Sequence, residues 1–298
     1  MITVNSLTKK YRGRTVVDDV TFTARPGRVT GFLGPNGAGK STSMRMMVGL
    51  TRPTSGGVTI GGRRFADLPN PGREVGVMLD ASAQHAGRTG RETLTLAQRT
   101  IDVPAQRVSE MLQLVSLSEA DAGRRVGNYS LGMRQRLGIA VALIGAPSVL
   151  ILDEPANGLD PAGIRWMRDL LRDYAAAGGT VLLSSHLLRE IELIADDIVM
   201  IGKGRIVASG SMAELLETTG TVVRARDRVA LESALHRSGL RTSDAPDGAV
   251  FADADPTVVG LVARAAGVPL IELRAVDGGL EEMFLRLTSD NNREEKAA

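Results

Sequence analysis

Nine consecutive residues, Gly34-Pro35-Asn36-Gly37-Ala38-Gly39-Lys40-Ser41-Thr42, have the make-up of a phosphate cradle. Glycines let a loop turn its backbone N–H groups inward around anionic oxygens, the start of a following helix adds positive potential, and Lys40 brings a mobile cation. Ser41 offers a hydroxyl where this loop pattern holds Mg²⁺. Apolar "VTGFL" leads in and "SMRMM" leads out, the strand-to-helix setting that separates a nucleotide site from a chance match. Lys40 is also one of only five lysines in an arginine-rich chain.

Two further groups belong with this loop. In "VLILDEP", Asp153 and Glu154 sit at the carboxyl end of a buried strand, where open α/β sheets collect ligands. Asp153 suits a metal ion, directly or through water, and Glu154 suits the proton of a water attacking a γ-phosphate. In "YSLGMRQRL", Ser130 and Gly132 head a helix that runs to about Ile144 and form a second anion seat, with Ser130 as N-cap and the helix dipole behind it. On its own this stretch reads more readily as a capped core helix.

These groups need a frame, and the chain supplies one. Its 298 residues, 43% hydrophobic, suffice for one large domain and one small one. The alternating segments "ITVNSL", "VVDDVTFTA" and "GVTIGG" predict half-buried antiparallel strands, whereas "RVTGFL", "SVLILD" and "TVLLSS" predict buried parallel ones. Between them, residues 88–145 read as a helical insertion. A new strand and helix pattern from Thr221 to Leu287 predicts a small α+β unit, giving domains at 1–218 and 219–288, and the polar tail 289–298 predicts disorder. The 36 basic and 34 acidic residues nearly cancel, so no strong field favours nucleic acid. The chain has no cysteine, which suits a reducing cytoplasm, and its start lacks the apolar core of an export signal. The most apolar run, Leu137 to Leu152, is broken by Gly145, Pro147 and Ser148 and reads as helix, turn and buried strand rather than a membrane span.

In this order the loop, "YSLGM", "VLILDEP", Asn157 to Asp160 ("NGLD") and "SSH" ending at His186 resemble the ATP-binding cassette ATPases over about residues 1–218. The resemblance implies an α/β P-loop NTPase core with an antiparallel β subdomain and a helical insertion, binding ATP and Mg²⁺. "YSLGM" is similar to the family's Leu-Ser-Gly-Gly-Gln signature, which contacts ATP held by a second subunit, so Ser130 and Gly132 are implied to serve a neighbour's nucleotide. Leu131 and Met133 stand where that motif has glycine and glutamine. Further implied roles are adenine stacking for Tyr11, reach to the γ-phosphate region for His186, and a contribution across the dimer interface for Asp160. A family glutamine that contacts the metal aligns with Asp80 in "VGVMLDAS"; an alternative alignment uses Gln84. The implied partners are a second copy through the ATP sites and a separate polytopic membrane subunit, with no nucleic acid, and the implied place is the cytoplasmic side of the cell membrane. "GGLEEMFLRLTSD" resembles the appended segment of bacterial drug and antibiotic efflux ATPases, which implies export. The rival is a soluble cassette ATPase of translation or DNA maintenance; its usual marks, two cassettes in one chain or long coiled coils, are not in this sequence.

Overall fold

The computed structural model describes residues 1–216, 220–245, 248–276 and 280. The chain divides into two compact units, Met1–Gly210 and Ser211–Ala298. The first begins with β1 (Ile2–Tyr11), β2 (Arg14–Ala24), β3 (Arg28–Leu33), helix α1 (Lys40–Met47) and β4 (Ser55–Ile60). Antiparallel pairing in the order β2-β1-β4, with Ile2 opposite both Ala24 and Ile60, makes a small sheet. Its buried Ile2, Val4, Leu7, Val20 and Phe22 join α1 residues Met44 and Met47 and the parallel-sheet residues Phe32, Ile151 and Leu182 in one core, so alternation in sequence becomes one wetted face and one packed face.

The insertion follows a short helix α2 (Pro71–Glu74) and strand β5 (Val75–Met78). It comprises α3 (Gly90–Ile101), α4 (Gln106–Leu114), α5 (Glu119–Ala122) and α6 (Leu131–Leu143). Thr89 and Glu92 close a capping box on α3, each accepting a hydrogen bond from the other's backbone N–H, and Ser130 caps α6 by accepting from Met133 N at 3.2 Å.

The chain then returns to the core through β6 (Val149–Leu152), α7 (Pro161–Ala176), β7 (Thr180–Ser185), α8 (Leu188–Glu192), β8 (Asp197–Gly202) and β9 (Arg205–Ser211). The large sheet has the order β5-β6-β7-β3-β8-β9. β6 and β7 are buried at every position, as their unbroken apolar runs require. The run Leu137 to Leu152 is thus helix, turn and strand; no helix among the described residues is long and apolar enough to cross a membrane.

The second unit holds α9 (Met212–Leu216), which the sequence pattern attaches to the first domain, then β10 (Gly220–Ala225), α10 (Arg228–Arg237), β11 (Thr242–Asp244), β12 (Val250–Ala252), α11 (Pro256–Ala265) and β13 (Leu270–Val276). Its sheet is antiparallel, in the order β11-β12-β10-β13, and Leu231, Leu235, Val259 and Ala263 of the two longer helices pack on Val223, Ala225 and Val250. The expected last helix and the tail 289–298 lie outside the described residues, except Leu280.

Candidate active site

Neighbouring parallel strands deliver the chemical groups to one place. β3 ends at Leu33 and hands over to the phosphate loop, β7 ends at Ser185 before His186, and β6 ends at Leu152 before Asp153 and Glu154. β7 lies between the other two, with Ser185 opposite Leu33 and Leu183 opposite Leu152. The register alone therefore brings residues more than a hundred positions apart to a shared strand end.

The loop depends on two of its glycines. A Cβ on Gly34 would stand 2.4 Å from the Ile201 carbonyl oxygen, and one on Gly39, whose φ is 109°, would stand 2.9 Å from that of Val16. Pro35, Asn36 and Gly37 are exposed, while Ala38 and Gly39 are buried and lead into α1 with Ser41 exposed on its first turn and Thr42 half-buried. Lys40 is only 6% exposed. Its Nζ donates to the carbonyls of Gly34 at 2.6 Å and Pro35 at 3.4 Å and lies 3.9 Å from Glu154 Oε1. Burial pushes the Lys40 pKa down, and the negative charges of Glu154 and Asp153 restore part of it.

Glu154 is tightly placed. Its φ of 50° is a left-handed conformation uncommon for a residue with a side chain. Its N–H donates to Ser184 Oγ at 3.0 Å, its C=O accepts from Gln135 Nε2 at 3.3 Å, and its Oε2 is 2.7 Å from His186 Nδ1. The Ser184 hydroxyl also donates to Asp153 Oδ1, so one buried β7 serine fixes both acidic residues. The result is a partly exposed carboxylate between an imidazole and an ammonium.

Beside the loop, a cleft of about 440 Å³ is lined by Arg14, Thr15, Val16, Lys203 and the loop residues Pro35 to Ala38. Tyr11, 46% exposed, faces Arg14 across the β1–β2 pairing, with Lys9 Nζ 4.7 Å from its ring centre. The Lys203-Gly204 turn is held against the loop by hydrogen bonds from Gly204 N to Ala38 O at 3.1 Å and from Asp18 N to Gly204 O at 2.8 Å.

Ser130, Gly132 and Asp160 form a second group. Ser130 is exposed at the head of α6, and Asp160 caps α7 by accepting from Gly163 N at 2.8 Å. The two helix heads touch: a Cβ on Gly132 would lie 2.9 Å from Gly158 O, and one on Gly158 would lie 2.3 Å from the Leu131 side chain.

The candidates Asp80 and Gln84 part company. Asp80 caps the turn after β5, accepting from Ser82 N at 2.7 Å and Ser82 Oγ at 2.6 Å, bonds that hold its carboxyl below the usual pKa. Gln84 turns to the insertion and donates to Arg134 O at 3.2 Å.

Sequence reasoning missed Ser184, Gln135, Arg14, Lys203 and Glu190. Glu190 stands near Glu154 and His186; burial raises its pKa most, Glu154 adds to this and His186 opposes it. Only Ser184 had a signal, its place in the "SSH" that ends a buried strand.

Residues 17–157 match the family model described as ABC transporter. Among relatives, the uncharacterized ABC transporter ATP-binding protein YhcH of Bacillus subtilis is 34% identical over 99% of this chain and 98% of its own length. The bacitracin transport ATP-binding protein BcrA of Bacillus licheniformis is 40% identical over 70% of this chain and 68% of its own. A solved structure described as the ATP binding subunit of an ABC transporter superposes with a TM-score of 0.67 at 30% identity, over 73% of this chain and 92% of that one. With the phosphate loop, the strand-end carboxylates and near full-length similarity in agreement, the chain belongs to the ATP-binding proteins of ABC transporters, a family of ATPases.

Proposed function

We propose that this ATPase powers export of antibiotics or similar small amphipathic compounds through a separate polytopic membrane subunit, working as a homodimer on the cytoplasmic face of the membrane. The bacitracin-transport relative supports the cargo class. The observation that carries the catalytic reading is Glu154 Oε2 at 2.7 Å from His186 Nδ1 with Lys40 Nζ 3.9 Å from its other oxygen. A carboxylate so placed takes the proton from a water attacking the γ-phosphate, and His186 holds it in position. Lys40 and the N–H groups of Gly34 to Thr42 bind the phosphates, Tyr11 stacks on the base, and the cleft beside the loop takes the rest of the nucleotide.

Among the described residues no cluster of three or more His, Asp or Glu could hold a metal. Mg²⁺ bound with ATP needs none, because it takes one or two carboxylates, a hydroxyl and phosphate oxygens. Ser41, Asp153 and Asp80 provide such oxygens; Gln84 donates to Arg134 O through Nε2, and its buried Oε1 has no partner. The ion would neutralise charge that develops on the phosphates.

Ser130, Gly132 and Asp160 complete the site of a second copy. ATP held only in the closed dimer favours closure by its differential affinity, and hydrolysis removes that bias. Glu154→Gln tests this: it keeps ATP binding, loses about 10²–10⁴-fold in turnover, and elutes as a dimer with ATP on size exclusion. A monomer with full turnover would refute the role. Co-purification of the native protein with ribosomes or DNA rather than a membrane protein would favour the soluble rival.

A further inference from the structure

The sheet of the second unit has two unlike edges. β11 is a three-residue strand, Thr242-Ser243-Asp244, short and polar, the form in which proteins blunt an edge. β13 is seven residues long and exposes Ile271 at 60% and Leu273 at 40%. One side of β13 pairs with β10, and among the described residues no strand pairs with its other side. Gly260 of α11 lies against Leu273, and the same helix exposes Val258 and Leu261. An apolar edge of this length is a template for another strand.

The residues of β13 specify which strand. Ile271-Glu272-Leu273-Arg274-Ala275 has the same character read from either end: apolar, charged, apolar, charged, apolar, with the two charges opposite in sign. In a two-fold antiparallel pair the axis passes through a residue pair, so the strand offers discrete registers. Centring on Glu272 sets carboxylate against carboxylate, and centring on Arg274 sets guanidinium against guanidinium. Centring on Leu273 sets each Glu272 opposite Arg274 of the other copy, Leu273 opposite itself and Ile271 opposite Ala275. Directly opposed unlike charges stabilise a strand pair and like charges oppose it. Glu272 already accepts from Arg274 Nε at 3.0 Å and lies 3.0 Å from Arg224, so its carboxylate is oriented among cations before any partner arrives.

We propose that β13 pairs antiparallel with β13 of a second copy of this chain about an axis at Leu273, continuing one sheet through both copies. The contact uses no nucleotide. Its purpose rests on the reading of a dimer that closes on ATP: it keeps the two copies at high effective concentration between closures.

The chain has no cysteine, so single cysteines report the register. In the full-length protein without nucleotide, Leu273→Cys gives a disulfide-linked dimer on mild oxidation, because directly opposed residues stand about 4.5–5.5 Å apart at Cα, within disulfide reach. Ser243→Cys on the polar edge does not. In sedimentation without nucleotide the wild type dimerises, and Glu272→Arg and Arg274→Glu each associate about tenfold more weakly. An equimolar mixture of these two recovers association, since one copy then carries both bases and the other both acids. Three results overturn the proposal: a wild type still monomeric at about 100 µM, cross-linking of Leu273→Cys no greater than that of Ser243→Cys, or a mixture no better than its components. ATP-driven closure is scored separately, as ATP-dependent dimerisation of Glu154→Gln combined with Glu272→Arg, in which the β13 contact is weakened, so either contact can fail without the other.

Discussion

Glu154 owes its proposed role to neighbours rather than to its type. A glutamate at a strand end is ordinary, but here its backbone is anchored through Ser184 and Gln135 and its two oxygens face a ring nitrogen and a buried ammonium. Lys40 in turn loses hydration and gains the fields of Glu154 and Asp153, which oppose each other in setting its pKa, and the loss of hydration wins. On the alignment that sets Asp80 at the family's metal-contacting glutamine, it brings a negative charge in place of a neutral amide, and its bonds to Ser82 hold its pKa down. Extra negative charge beside phosphates strengthens the hold on a cation. Asp80→Gln, which exchanges a charged oxygen for a neutral one, therefore shifts the Mg²⁺ concentration for half-maximal ATPase activity upward by about threefold to tenfold; superimposable Mg²⁺ titrations of variant and wild type would remove this reading of Asp80.

At the scale of elements, caps and glycines decide where the site residues land. The Thr89–Glu92 box fixes the start of α3, and its loss frees two backbone donors. Thr89→Ala lowers the melting temperature by about 2–4 °C, read by differential scanning calorimetry, and leaves nucleotide affinity unchanged. The strands, the helical insertion and the loop-to-α1 junction were all legible in the sequence, because alternation, unbroken apolar runs and a glycine-rich strand-to-helix turn are local signals. Ser184, Arg14 and Lys203 were not. Ser184 acts through the register of β7 on β6, Arg14 reaches the cleft through the β1–β2 pairing, and Lys203 through the hold of Gly204 on Ala38. No local pattern encodes those long-range pairings. The surroundings of Asp80 and Gln84 are hidden for a related reason: only the fold shows Asp80 capping the turn after β5 and Gln84 Nε2 donating to Arg134 O.

At the scale of the whole molecule, one chain carries half of each of the two proposed catalytic centres. Ser130→Ala and Lys40→Ala disable different halves, so each variant alone has little activity. Mixed one to one, random pairing makes half the dimers heterodimers, each with one centre intact and one doubly damaged, and recovers about a quarter of wild-type turnover if the centres act independently. A mixture no more active than its components would show that each chain completes its own centre. The contact of Gly132 with Gly158, under the side chain of Leu131, bears on how such a dimer engages. With a Cβ at Gly132 only 2.9 Å from the Gly158 carbonyl, the serine-headed helix is packed close against the turn that leads to Asp160, and a side chain at Gly132 would press the two apart. In the proposed dimer the two would thus reach the neighbour's triphosphate from one packed unit, and a wedge at Gly132 would disturb both.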